Sequence, residues 1–265
     1  MKKLIALLTA IVAFAVQTPA SAQVIASVNM NWDQGSYPAH FIDNYKDSFI
    51  RNFASVPNID PKQVALLTVP GFYKEHNPYK QADVVRASVG KLKSLSYGKD
   101  GLVAITVNRA AEFDLTNPAT GEYKVDFSFP HDAGEVKGFH FSLTGQPNYD
   151  YGFNYAFSFA QTKKNGVVKT LGQARARQIE DLIGGQRDQY GHVLLPVTFY
   201  VKLKTAKVDE AYEQGIKATI GVEIESADIA FGDANSVKTI SHLDKQDIQS
   251  PAATAKDGTV PRGWY

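Results

Sequence analysis

Apolar residues recur every three or four positions through the first part of the chain and at every second position from Leu102 onward. That change of period predicts helices first and strands afterwards. Ser36 is placed to cap a helix in which Phe41, Ile42, Tyr45, Phe49 and Phe53 share one face, opposite Asp43, Asn44, Lys46, Asp47 and Arg51. Asp60-Pro61 marks a second start, because aspartate caps and proline suits the first helical position. This short segment runs through Leu67 and ends near Pro70-Gly71. Asn77-Pro78 repeats the signal before a longer helix with Ala82, Val85, Val89 and Leu92 on its apolar face, and Gly90 weakens its interior.

In the second part, Val103, Ile105, Val107, Ala111, Phe113 and Leu115 alternate with Ala104, Thr106, Asn108, Glu112 and Asp114. After the turn Asn117-Pro118-Ala119-Thr120-Gly121, Tyr123, Val125, Phe127 and Phe129 alternate with Glu122, Lys124, Asp126 and Ser128. Two alternating runs across a short Gly-containing turn predict a β-hairpin. Further strands are predicted around Phe139, Phe141 and Leu143, over the aromatic run Tyr151 to Phe159, over Val197 to Leu203, and over Ala218 to Ile224. After Glu225 the apolar phase slips to Ala227, Ile229 and Phe231, which predicts a β-bulge, since otherwise every later side chain would change face. One helix, Leu171 to Ile183, is predicted to be closed by Gly184-Gly185.

One wet and one dry face per strand favours antiparallel pairing. The expected architecture is α+β: a mainly antiparallel sheet of about six amphipathic strands with the N-terminal helices packed on it. A β-sandwich with peripheral helices is the alternative. A single domain is expected over residues 23–231, followed by an extended, partly mobile tail over 232–265, where the chain turns polar and small.

The first residues change the picture of where the domain works. Lys2 and Lys3 precede the apolar run Leu4 to Val16, and Ala20-Ser21-Ala22 follows the break at Thr18-Pro19. This order predicts a cleavable signal peptide over residues 1–22, cut between Ala22 and Gln23. The run falls short of the roughly 20 apolar residues of a spanning helix. No cysteine is present, which excludes disulfides, thiolate metal sites and cysteine nucleophiles. No Asn-x-Ser/Thr acceptor occurs either, so the chain reads as a bacterial export, addressed to the periplasm or secreted. Without Lys2 and Lys3, 26 basic residues face 27 acidic ones, a near-neutral balance that argues against nucleic acid as a partner.

Catalytic signatures are sparse. His40, His76, His131, His140, His192 and His242 make no paired spacing of the His-Glu-x-x-His kind, so no metal ligand set and no cofactor are predicted. Ser88-Val89-Gly90-Lys91 and Ser96-Tyr97-Gly98-Lys99 fit Ser-x-x-Lys, but the accompanying Lys-Thr-Gly is absent and both read as coincidences. Phosphate-cradling and calcium loops are missing. The aromatic run Tyr151 to Phe159 reads as the core face of a strand, because a membrane barrel would need at least eight such segments with polar interiors, against about six strands counted here.

Arg109 is the one charged residue that interrupts an apolar strand face. It is either exposed at a bend or, if buried, the candidate for gripping an anionic ligand or an internal carboxylate. The functional expectation is an exported, non-catalytic binding or scaffolding protein of the cell envelope, contacting another envelope protein or a small ligand. An envelope hydrolase acting on cell-wall or other extracytoplasmic substrate is the first alternative, and an outer-membrane-associated protein the second.

Overall fold

The computed structural model describes residues 23–30, 39–98, 101–127, 135–140, 152–159, 166–212, 215–231 and 238–248. The signal segment, Ser36, Phe141, Leu143, Tyr151 and the chain end from residue 249 lie outside them.

Nine described strands belong to one curled, mixed sheet. They are β1 (Val24–Met30), β2 (Leu102–Asn117), β3 (Glu122–Phe127), β4 (Glu135–His140), β5 (Gly152–Phe159), β6 (Val167–Thr170), β7 (Leu194–Tyr212), β8 (Gly215–Phe231) and β9 (Lys238–Asp244). The order is β4-β5-β8-β7-β2-β3-β6, with β1 also beside β2 and β9 beside β8. Most pairings are antiparallel, as expected, but β1 runs parallel to β2 and β5 parallel to β8. The two-sheet alternative is overturned, because every described strand joins this single sheet.

Helices α1 (Ala39–Ala54), α2 (Pro61–Thr68), α3 (Pro78–Leu95), α4 (Gln173–Ile183) and α5 (Lys245–Ile248) complete the fold. The predicted caps form: the Asp60 side chain accepts from the Lys62 amide, and the Asn77 side chain from the amides of Tyr79 and Lys80. From α1, Tyr45, Phe49 and Phe53 are buried in the core together with Tyr155, Phe157 and Phe159 of β5. The aromatic stripe of β5 is thus a core face over its described side chains. Burying an aromatic side chain is worth ~2–3 kcal/mol, so this contact is a main anchor of α1.

The face of α3 differs from the expected one. Ser88 is its buried residue, Val85 and Leu92 are half-buried, and Ala82 and Val89 are exposed. The Ser88 hydroxyl donates to the Val84 carbonyl at 2.9 Å, which lets a polar side chain take a buried position that hydropathy alone would deny it. Gly184 closes α4 in right-handed geometry and leads into a 3-10 turn over Gly184–Gln186, in place of a left-handed cap. The segment read as a tail supplies β9 and α5. In β9 a register shift falls at Ile240, so Ile240 and Leu243 are both buried without simple alternation.

Bulges shape the long strands. Between β7 and β8, Tyr200 pairs with Ser226 and Val201 with Ile224, so Glu225 is the extra residue where the apolar phase slips. Between β2 and β7, Val107 pairs with Val197 and Ala111 with Leu195. Four residues of β2 therefore pass two of β7. The excursion is even, so the alternation resumes in phase, and Val107 and Ala111 are both buried.

Candidate functional site

Beyond its bulge, β2 places Glu112 and Asp114 two residues apart, hence on one face, while Phe113 between them is buried and stacks on Tyr123 at 4.3 Å. Glu112 pairs with Leu194, and the Phe113 amide donates to the Val193 carbonyl at 3.1 Å. Continued by one step, this antiparallel register sets His192 across from Asp114. The three side chains converge: one ligand atom from each of Glu112, Asp114 and His192 lies within 4.8 Å of the others. His192 Nδ1 contacts Glu112 Oε1 directly.

The approach to His192 is held by local chemistry. Asp188 Oδ1 accepts from the amides of Tyr190, at 2.8 Å, and His192, at 2.9 Å, closing a tight turn whose Gly191 has φ +85°. Arg187 fixes the other side. Its Nε and Nη2 donate to the two oxygens of Glu180 at 3.3 and 2.7 Å, and Nη1 donates to the Gly191 carbonyl at 2.6 Å. Nη1 also lies 3.7 Å from Asp114 Oδ1, so one guanidinium ties α4 and the turn to the cluster. Tyr123 donates to Glu180 Oε1 and to the Ala176 carbonyl, each at 3.1 Å; burial first, and then the Glu180 charge, raise its phenol above the usual range. On the far side, β3 sets Lys124 across from Asp114 and Asp126 across from Glu112, and Lys124 and Asp126 pair at 2.5 Å.

Two carboxylates and an imidazole are a donor set for a divalent transition metal. A shared ion at ordinary bond lengths needs donors no more than about 4–5 Å apart, which the cluster meets. Glu112 and Asp114 are half-buried and His192 is exposed, so solvent reaches the remaining coordination positions.

A second polar arrangement crosses the face of the sheet opposite the core. Thr106, Thr198, Asp228 and His242 pair in sequence across β2, β7, β8 and β9. The threonine hydroxyls are 2.8 Å apart, His242 Nδ1 is 2.6 Å from Asp228 Oδ1, and the Tyr200 hydroxyl donates to Asp228 Oδ2 at 2.9 Å. Burial and the Asp228 hydrogen bond push the Tyr200 phenol up to about 12. Asp228 thereby bonds both Tyr200 and His242, and the two threonine hydroxyls bond each other.

Arg109 is exposed and left-handed, with φ +53°, at the tip of the β2 bulge. It is not one of the three converging residues. Sequence reasoning missed the cluster because only Glu112-x-Asp114 was local; His192 joins through the β2–β7 register. His76 is exposed and stands apart from the cluster. Among the described residues no helix is long and apolar enough to cross a membrane. Comparison of the chain with protein-family models, with curated proteins and with solved structures found no match.

Proposed function

We propose that this chain is an exported, non-catalytic binding protein of the bacterial cell envelope that holds a divalent transition-metal ion at Glu112, Asp114 and His192. The convergence of these three donors from two segments carries the reading. The export half rests on the Lys2-Lys3 and Leu4 to Val16 segment; a cut after Ala22 would leave β1, which starts at Val24, whole. Mixed nitrogen and oxygen ligation favours zinc or manganese over calcium, whose sites are built from oxygen alone.

The test is thermal melting of the purified chain with and without Zn²⁺ or Mn²⁺. An ion at a hundred times its Kd adds about 2.7 kcal/mol of stability, a shift of several degrees. His192→Ala and Glu112→Gln remove the shift. The proton competes with the metal for the imidazole, so affinity falls as pH falls. Absence of any metal-dependent shift in the unaltered chain would sink the proposal.

An envelope hydrolase is the second reading, favoured by one observation: the same donors would leave coordination positions for an activated water. The lead reading stands ahead of it because the chain carries no local metallohydrolase spacing such as His-Glu-x-x-His. Metal-dependent turnover of a phosphoester or peptide, lost in His192→Ala, would reverse that order.

A further inference from the structure

A cleft of about 330 Å³ opens where α2, the 3-10 turn Phe72–Lys74 and the start of α3 meet the far end of β7. It lies in the size range of small-ligand sites. Phe72 and Val208 are buried in its floor, and Leu66 and Ala211 are half-buried beside them. These four side chains supply the apolar part of a lining that is otherwise polar. Two opposite charges stand on the walls, Lys62 from the first turn of α2 and Asp209 from β7.

The two charges are not spent on each other, since no ion pair joins them. Asp209 is the extra residue of a bulge, because Val208 pairs with Ala218 and Glu210 with Lys217. One of its oxygens accepts from the Thr219 hydroxyl at 2.6 Å and the other lies 3.4 Å from Lys207 Nζ. Those bonds orient the carboxylate and leave acceptor capacity, as a carboxylate has about four lone-pair sites. The backbone around the cleft is tied down: Gln63 Oε1 accepts from the Val208 amide at 2.7 Å, and Gln81 Nε2 donates to the Glu75 carbonyl.

We propose that this cleft binds a free α-amino acid with an apolar side chain. Lys62 takes its carboxylate, Asp209 its ammonium, and the Leu66, Phe72 and Val208 floor its side chain. The three groups match the three parts of such a ligand, and a simple carboxylate or a simple amine would use only one of the two charges. This site is independent of the metal cluster, so either proposal can fail alone.

The experiment titrates the purified chain by calorimetry with L- and D-leucine and L- and D-phenylalanine. Parallel titrations use 4-methylpentanoate, which lacks the amine, and 3-methylbutylamine, which lacks the carboxylate. Saturable binding of at least one amino acid is expected. Each truncated analogue, and each of the variants Lys62→Met and Asp209→Asn, should bind about tenfold weaker or worse, the size of one lost charge-assisted hydrogen bond. Both residues are exposed, so the variants keep the fold, which an unchanged melting curve verifies. No saturable binding of any amino acid up to about 10 mM overturns the proposal. Equal affinity for either truncated analogue, or for either variant, overturns it as well.

Discussion

The ring of Phe49 lies flat on that of Tyr155, with centroids 4.4 Å apart and planes 10° apart. Phe157 meets the same phenylalanine edge-on at 5.5 Å, and the Tyr45 hydroxyl, one helical turn earlier, donates to the Tyr155 backbone carbonyl at 3.2 Å. Burial raises the Tyr45 phenol far above its usual range, so the hydroxyl stays protonated and keeps donating. Helix α1 is thereby fastened to β5 by rings and by one buried hydrogen bond. Phe49 is fully buried, and Phe49→Ala should destabilise the domain by ~3–5 kcal/mol in urea or thermal unfolding. Tyr45→Phe removes only the hydroxyl and should cost about 1–2 kcal/mol, chiefly by leaving the carbonyl without its donor. Equal effects of the two substitutions would mean that α1 is not anchored through its rings.

Gly121 ends the β2–β3 turn with φ +68°, and a methyl group there would meet the Gly172 carbonyl oxygen at 2.5 Å and Ala176 Cβ at 3.0 Å. The Gly121 amide donates to the Asn117 carbonyl and the Leu171 amide donates to the Gly121 carbonyl, both at 2.9 Å. The turn is therefore clamped against the start of α4. Gly121→Ala combines left-handed strain with a backbone clash and should cost ~2–4 kcal/mol. Gly191 also has a positive φ, +85°, but nothing surrounds its added Cβ, so Gly191→Ala should cost only about 1–2 kcal/mol from strain alone. Denaturant midpoints of the two variants measure the difference, and a reversed order would remove the clash argument.

How far the sequence foretold this fold follows from the range of each signal. The bulge at Glu225 was legible because one strand carries both apolar phases, Ile220 to Ile224 and then Ala227 to Ile229. Caps at Asp60 and Asn77 were legible because the chemistry is local. Strand β1 was not, because its partner Leu102–Val107 is more than seventy residues away and parallel pairing leaves no turn to read. Strand β9 was hidden by its own bulge, which breaks the alternation within seven residues. Phase alone could not separate Ala82/Val89 from Ser88 as the buried side of α3, since a serine satisfied by its own helix reads as polar. For the candidate site, Glu112 and Asp114 lay on a strand correctly predicted, but His192 needed the register to bring it alongside.

Arg109 was conspicuous in sequence as a charge on an apolar face, and the structure explains the interruption as backbone geometry. A non-glycine residue in left-handed conformation costs about 1–2 kcal/mol, whereas glycine adopts it freely but loses ~0.5–1 kcal/mol of chain entropy. Relief of that strain alone favours Arg109→Gly by up to about 1 kcal/mol, set against what the interaction of the guanidinium contributes, and Arg109→Val, whose branched Cβ resists this conformation, should be clearly destabilised. Thermal melts of the two variants decide the role of this side chain. A marked loss of stability in Arg109→Gly would show that the interaction of the guanidinium outweighs the strain.

On the open face, Lys245 Nζ donates to Glu223 at 2.7 Å and to Glu225 at 2.9 Å, while Lys204 reaches Glu223 from β7 and Lys202 lies 3.3 Å from Glu225. Hydrogen bonds from Lys204 and Lys245 hold the Glu223 carboxyl at about 2, below its ordinary 4.5, against a smaller opposing effect of burial. The Glu223 bonds in turn raise the Lys245 ammonium, so both groups stay charged through neutral pH. A depressed folded-state value means that the folded protein prefers the ionised carboxylate. The stabilisation is complete above the ordinary value and drains away as pH falls from about 4.5 towards 2. Glu223→Gln keeps the shape but loses the charge, so wild type and variant should differ in melting temperature at pH 7 and converge across that acid window. Added salt should narrow the gap at pH 7, because these pairs are partly exposed and screened. A gap that stays constant from pH 7 to pH 2 would mean that Glu223 contributes through packing and not through its charge.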